Sequence, residues 1–154
     1  QIHAKAFQVA RDGGLGITIH AGEAAGAEHV RYAVEELGAT RIGHGVRSTE
    51  SDAVLAMLRK RSVLLEICPT SNVHTNTVNG IQKHPIRKLY DRGILISVGD
   101  DDPITSRTTV SKELTLLQNN FNFKVEEIKR MQHMGITAAF INDAKLRRKL
   151  LQLL

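Results

Sequence analysis

Short runs of aliphatic and β-branched residues alternate along this chain with segments whose apolar residues recur every three or four positions. Runs of the first kind predict four buried strands, at residues 17–20, 41–44, 63–68 and 94–98. The recurrent spacing predicts helices between the strands, over residues 27–37, from Ser51 or Asp52 onwards, and over 85–92. A repeated strand–helix order with short connections indicates a parallel sheet with helices outside it.

Helices are also predicted on both sides of these units. Residues 4–10 predict a helix before the first strand, and residues 110–121 predict an amphipathic helix after the last. A helix that begins near residue 125 is expected to break near Gly135, and Asp143 is a candidate cap for a final helix. The fold class is therefore α/β, with four consecutive βα units followed by C-terminal helices. An eight-unit barrel takes about 250 residues, so four units form half of a barrel or a small open sheet.

Composition limits the classes of partner. The chain has 154 residues and a formal charge of +5, and its basic residues lie on predicted helix faces, as at 59–61. We interpret them as solvated surface rather than a nucleic-acid interface, because aromatic residues make up only 4% of the chain. One cysteine excludes an internal disulfide and is typical of a reducing compartment, so we expect a cytoplasmic location. Apolar runs fall short of the ~18 residues of a membrane span, so no membrane partner is expected.

Ionisable side chains follow the predicted strands at their carboxyl ends. His20 and His44 end the first two strands, Glu23 lies just beyond the first, and the run Asp100–Asp102 follows the fourth. The carboxyl ends of parallel strands share one edge of the sheet, so these groups are expected to converge there. Each has an ordinary explanation on its own, as a hydrogen-bonded histidine, a helix-start carboxylate or a capping cluster. Together they favour a metal-assisted hydrolytic site, because a divalent cation relieves repulsion between adjacent carboxylates.

The chemistry of these groups indicates which metal they suit. Neutral imidazole and carboxylate oxygen are ligands of Zn²⁺, and a catalytic zinc keeps an open position for water. Bound zinc lowers the pKa of that water toward ~7. A second histidine, not bound to the metal, can orient the water or take its proton. A glutamate one turn away can protonate the substrate from the opposite side.

Other polar residues are weaker candidates. Cys68, directly before Pro69, is interpreted as a buried strand cysteine. Residues 70–80 are predicted to form a polar loop, in which residues 70–72 either line the site or form an ordinary turn. His29 is placed on the exposed side of its helix. Surface or loop positions are expected for the remaining histidines, His3, His74, His84 and His133.

Four short motifs occur in a fixed order. They are His20-Ala21-Gly22-Glu23, Gly43-His44-Gly45, Cys68-Pro69-Thr70-Ser71-Asn72 and Asp101-Asp102-Pro103. In this order and spacing they resemble the adenosine deaminase family of the amidohydrolase superfamily, over nearly the whole chain. The resemblance implies the C-terminal half of a TIM (β/α)₈ barrel, with strands five to eight. Residues 1–154 would then be a single partial domain, with the N-terminal half of the barrel absent.

The resemblance also implies roles for the residues of these motifs. His20 and Asp101 would bind Zn²⁺, Glu23 would donate a proton to purine N1, and His44 would position and deprotonate the zinc-bound water. The acidic residue after Asp101, Asp102, would accept a hydrogen bond from purine N7. The implied reaction is hydrolytic deamination of adenosine or 2′-deoxyadenosine to inosine and ammonia by zinc-activated water.

The glycine of the first motif, Gly22, would also contribute to the substrate site. Two departures from the family pattern accompany these roles. The family's first strand carries a His-x-His pair of further zinc ligands, and this chain has no such pair. Zinc would therefore have two protein ligands from this chain, whereas catalytic zinc usually has three. In addition, Gly99-Asp100 stands where the family commonly has Asn-Thr or Asn-Ser.

Three hypotheses follow. The first is a purine deaminase whose N-terminal half lies outside this chain, so that the fragment alone is inactive. The second is a non-catalytic half-barrel or binding module, which pairs with another half or with itself to cover its open sheet edges. The third is a deaminase that acts on adenine or on a modified purine nucleoside.

Overall fold

The computed structural model of the protein describes residues 3–154, and its centre is a four-stranded parallel sheet. The strands are β1 (Thr18–Ala21), β2 (Arg41–His44), β3 (Leu64–Ile67) and β4 (Leu95–Val98). They lie in the order β1-β2-β3-β4, and each pairs in parallel with the next. His20 lies opposite Gly43, which lies opposite Glu66 on the next strand. The predicted strand–helix repeat is confirmed, and its sequential strand order is that of half a barrel.

Helices connect and flank the strands. They are α1 (Ala4–Asp12), α2 (Ala27–Glu35), α3 (Asp52–Lys60), α4 (Pro69–His74), α5 (Ile86–Asp91), α6 (Val110–Phe121), α7 (Val125–Ala138) and α8 (Ala144–Leu151), with 3₁₀ turns at Val46–Glu50 and Ile81–Lys83. Polar side chains cap two of these helices, and the predicted cap at Asp143 is confirmed. The Ser51 hydroxyl accepts from the Val54 N–H at 3.3 Å, and the Asp143 carboxylate accepts from two backbone N–H groups of α8. None of the described helices is long and apolar enough to cross a membrane.

The core lies between the sheet and its connecting helices. Ile42, Leu65 and Ile96 occupy the same row of β2, β3 and β4 and are fully buried. Val30 of α2 and Leu55 of α3 are buried in the same cluster. Burial of each such side chain stabilises the fold by about 1.5–3 kcal/mol. The strands are thereby held firmly, and their carboxyl ends offer fixed positions for a site.

Polar groups and the C-terminal segment occupy part of the other face of the sheet. Arg41 of β2 forms an ion pair with Glu66 of β3, and its guanidinium lies 4.7 Å from the centre of the Phe140 ring. Helix α7 packs against β4, where a Cβ on Gly135 would lie 3.1 Å from the Cβ of Ser97. The edge strands β1 and β4 have no further strand beside them among the residues described.

Two predictions of local structure are wrong. Residues 70–80 were expected to form a loop, but α4 begins directly after β3, because Pro69 suits the first turn of a helix. The predicted break near Gly135 is not seen, since α7 runs on to Ala138. The missing side chain at Gly135 allows close packing against β4 rather than ending the helix.

Candidate active site

Three of the predicted metal-site and catalytic residues meet at the carboxyl edge of the sheet. One potential ligand atom from each of His20, His44 and Asp101 lies within 4.8 Å of the other two. His20 comes from β1, His44 ends β2, and Asp101 follows β4. The strand pattern thus places these groups together as expected. Asp100 and Asp102 are not part of this group among the described residues.

The backbone around His44 explains its position. His44 has a left-handed φ of 65°, and only 2% of its surface is exposed. Gly43 has no side chain, so the His20 ring can lie over it, and the two imidazole centres are 5.1 Å apart. Burial lowers the pKa of His44, while the charges of Glu23 and Asp101 oppose that shift. The buried ring is therefore held in its neutral form near pH 7.

Glu23 is aimed at His44 by its own hydrogen bonds. Its Oε2 lies 3.3 Å from Nε2 of His44. Its Oε1 accepts from Nδ2 of Asn72 at 3.3 Å and from the hydroxyl of Thr75 at 3.0 Å. Both donors come from α4 and the residue after it. The carboxyl group is thus fixed beside the group of potential metal ligands.

Asp101 is held in a similar way. It has a left-handed φ of 58°, and its Oδ2 accepts from the Ser71 hydroxyl at 2.6 Å. The remaining carboxylate oxygen can face a cation bound between Asp101 and His20. The helix α4 that supplies Ser71 also supplies Asn72, so one short element orders both acidic groups of the site.

The two predicted substrate residues have structural explanations in this chain. Asp102 is exposed, and its Oδ1 accepts from the backbone N–H groups of Ile104 and Thr105 at 3.0 and 3.1 Å. These backbone hydrogen bonds lower the pKa of Asp102. Gly22 has a φ of +68°, and a Cβ there would lie 2.6 Å from Val30. The turn therefore needs glycine for the fold, and a role in substrate binding stays a prediction for both residues.

The predicted burial of Cys68 and the predicted exposure of His29 are confirmed. Cys68 is buried, and burial raises the pKa of its thiol to about 12. The thiol is therefore protonated and a poor nucleophile at pH 7. His29 is exposed on α2, at the rim of a cavity of about 170 Å³ that His20 and Glu23 also line.

The prediction for His84 is wrong. It was expected at the surface, but only 4% of the side chain is exposed, and burial lowers its pKa to about 4. Its Nε2 lies 3.2 Å from Oδ1 of Asn72, which is itself fully buried. Hydrophobic periodicity carries no signal for a buried histidine. The available indication was that Asn72, in the short polar segment after the third strand, needs a buried polar partner.

Glu113 is a second residue that the sequence reasoning missed. It is 1% exposed and accepts from the Thr70 N–H at 3.0 Å and from the hydroxyls of Thr70 and Thr108 at 2.5 Å. It lies four residues before the buried Leu117 and so on the inward face of α6. An acidic residue on the face of α6 that turns inward was the feature of the sequence that could have indicated a buried carboxylate. The contact fixes α6 against the start of α4.

The residues at this edge fit a zinc ion in donor type and spacing. An imidazole nitrogen of His20 and a carboxylate oxygen of Asp101 are ordinary zinc ligands, and both lie within 4.8 Å of a ring nitrogen of His44. If His44 stays off the metal, this chain supplies two protein ligands. A catalytic zinc site then needs one more from outside these residues.

Comparisons with known proteins agree in family and fold. The chain matches the sequence model of the family described as adenosine deaminase over residues 1–154. It is 42% identical over 139 residues to an adenosine deaminase of Shewanella loihica, covering 90% of this chain and 42% of that protein. It is also 42% identical over 142 residues to an adenine deaminase of Rhizobium rhizogenes, covering 92% and 44%. The chain therefore spans less than half the length of these relatives.

Solved structures give the same picture. The adenine deaminase of Arthrobacter aurescens superposes with a TM-score of 0.91 at 30% identity, covering 97% of this chain and 45% of that one. A zinc-bound amidohydrolase of Burkholderia ambifaria matches with a TM-score of 0.85 at 27% identity, covering 95% and 41%. The Arabidopsis protein ADAL, solved in complex with IMP, matches with a TM-score of 0.85 at 26% identity, covering 97% of this chain and 43% of that one.

Proposed function

This chain belongs to the adenosine deaminase family, and we propose that it supplies the C-terminal half of a zinc-dependent purine deaminase. The observation that carries the proposal is the meeting of His20, His44 and Asp101, with Glu23 beside them, at one edge of the sheet. A segment outside residues 1–154 completes the (β/α)₈ barrel. The 42% and 44% coverage of the relatives supports this, because it leaves room for four further βα units.

In this proposal His20 and Asp101 hold the zinc ion, together with ligands from the completing segment. A zinc ion held there would supply a water whose pKa is lowered toward ~7, which suits hydrolysis near neutral pH. The Ser71 hydroxyl keeps one oxygen of Asp101 occupied and thereby orients the other.

Two further residues orient the attacking water and protonate the purine. His44 orients the attacking water through Nε2, the ring nitrogen that faces Glu23. Glu23 donates a proton to N1 of the purine, which makes C6 more electrophilic. A C–O bond forms at C6 and the C–N bond to the amino group breaks. Of the two water protons, one restores the proton that Glu23 has given to N1, and the other leaves with the amino group as ammonia. Adenosine and water thus give inosine and ammonia.

The substrate class is a 6-aminopurine, with adenosine or 2′-deoxyadenosine as the proposed substrate. Asp102 accepts a hydrogen bond from N7, and Gly22 contributes its backbone to the substrate site. The relatives support the class, since one is an adenosine deaminase and another an adenine deaminase at the same 42% identity. Adenine or a modified nucleoside is the alternative substrate.

A chimeric enzyme tests the proposal. The chain replaces the matching segment of the Shewanella loihica adenosine deaminase, and ammonia release from adenosine and from adenine is measured. We expect deamination of adenosine by the chimera and none by the 154-residue chain alone. A folded, zinc-loaded chimera that releases ammonia from neither substrate contradicts the proposal. Release from adenine only contradicts the choice of adenosine.

The open edges of the sheet favour a second candidate, a non-catalytic half-barrel that pairs with a copy of itself. Within residues 3–154, β1 and β4 each have a neighbouring strand on one side only, and such open edges pair readily with another chain. Light scattering on the purified chain distinguishes the two. A stable dimer supports self-pairing, and a well-folded monomer removes the need for it.

A further inference from the structure

We propose that Asn72, oriented by His84, is a positioning residue that fixes His44 as the tautomer with its proton on Nε2. His44 then faces the reacting water as a hydrogen-bond donor. The inference rests on the proposed function for its catalytic consequence, but the arrangement of hydrogen bonds stands on the geometry alone.

The argument begins at the buried His84. The backbone N–H of Ile86 donates to Nδ1 of His84 at 3.2 Å, so that nitrogen carries a lone pair. Since His84 is neutral, its proton must lie on Nε2. Nε2 is 3.2 Å from Asn72, and a donor there requires the amide oxygen opposite it. His84 thus sets which end of the Asn72 amide points into the site.

The amide nitrogen of Asn72 then determines which ring nitrogen of His44 carries the proton. Nδ2 of Asn72 is a donor only, and it lies 3.1 Å from Nδ1 of His44 and 3.3 Å from Oε1 of Glu23. Nδ1 of His44 must therefore be an acceptor, which leaves the ring proton on Nε2. That N–H lies 3.3 Å from Oε2 of Glu23.

The family resemblance implies that His44 takes the proton from the water. The hydrogen bonds described here assign that step to Glu23 instead. For His44 to act as a base through Nε2, the ring proton would have to sit on Nδ1, against the amide protons of Asn72. A flipped amide would present its donors to Nε2–H of His84, which is also a donor. Glu23, whose Oε1 accepts from Asn72 and Thr75 and whose Oε2 lies 3.3 Å from Nε2 of His44, is then the group that takes the proton from water. It delivers the same proton to purine N1.

Nitrogen NMR of the metal-free chain, labelled with nitrogen-15 at histidine, reads the tautomers directly. We expect His44 and His84 both to carry their proton on Nε2. Asn72→Asp keeps an acceptor for His84 but presents a carboxylate to His44, so the His44 proton should move to Nδ1. The matched control Asn119→Asp makes the same change at an exposed position of α6 and should leave both tautomers unchanged.

A second pair of variants keeps the test decisive if Asn72→Asp does not fold. His84→Gln can still accept from Ile86 and donate to Asn72, so the His44 tautomer should persist. His84→Leu removes the donor, and a mixture of His44 tautomers is expected. A proton on Nδ1 of His44 in the unaltered chain overturns the proposal. So does a His44 tautomer that is the same in the unaltered chain, in Asn72→Asp and in His84→Leu.

The chimera supplies the kinetic readout. Asn72→Asp should lower kcat about 10- to 100-fold, the usual cost of losing a partner that orients an active-site group. KM should stay nearly unchanged, since Asn72 contacts His44 and Glu23 rather than substrate. An unchanged or higher kcat overturns the donor role of His44. Inactivity of the unaltered chimera refutes the proposed function alone, because the NMR experiment uses neither metal nor substrate.

Discussion

The buried imidazole of His84 should make the stability of the chain depend on pH. Burial lowers its pKa from 6.5 to about 4. Below about pH 6.5 the unfolded chain binds a proton at this position, whereas the folded chain does so only near pH 4. Acid therefore favours the unfolded state, and the contribution of His84 to stability is lost as the pH falls through this window.

The magnitude follows from the size of the shift. Each pKa unit corresponds to about 1.4 kcal/mol, so a shift from 6.5 to about 4 costs about 3 kcal/mol of folding free energy by pH 4. With 4% of the side chain exposed, solvent screening reduces this little. A variant that cannot titrate, His84→Gln, should lack this part of the pH dependence.

Urea unfolding followed by circular dichroism measures the effect. The free energy of unfolding is determined for the unaltered chain and for His84→Gln at several pH values between about 7 and 4. The difference between the two proteins should change by about 3 kcal/mol over that range, in favour of the variant at low pH. Parallel curves would show that His84 titrates normally and would refute its burial beside Asn72. His133→Gln, at an exposed position of α7, is the matched control and should follow the unaltered chain.

Three further outcomes are expected. In the chimera, His20→Ala or Asp101→Ala should lower the zinc content measured by metal analysis, while the nearby His29→Ala should not; equal zinc in all three contradicts the ligand assignment. Glu113→Ala should destabilise the chain by about 3 kcal/mol, because hydrogen bonds to a buried carboxylate are lost. A loss under about 0.5 kcal/mol in urea unfolding would rule that out. Gly22→Ala should cost about 1–3 kcal/mol through its left-handed backbone and the close approach of α2, and an unchanged unfolding midpoint would disagree.

The sheet and the position of the site were predictable because they depend on local patterns. Each strand is a short apolar run, and the residue that ends it must lie at the shared carboxyl edge. His20, His44 and the run Asp100–Asp102 were found in this way, and the family resemblance then singled out Asp101. The helix α4 was missed because, after Pro69, Val73 is the one apolar residue in its six-residue sequence, which therefore shows no apolar periodicity.

The supporting residues could not be predicted for a different reason. The hydrogen bond between His84 and Asn72 joins residues that are 12 positions apart in the sequence. The one between Asn72 and His44 joins residues that are 28 positions apart. A polar residue is stable there only because its partners are already in place. The sequence shows the residue types but not the packing that brings them together.

Glu23→Gln in the chimera is the most direct test of the central claim, that this edge of the sheet is part of a deaminase active site. Glutamine keeps the size of the side chain and most of its hydrogen bonds but cannot carry a proton to the purine. Ammonia release from adenosine should fall about 10²- to 10⁴-fold, with the zinc content unchanged. An unchanged rate would contradict the account.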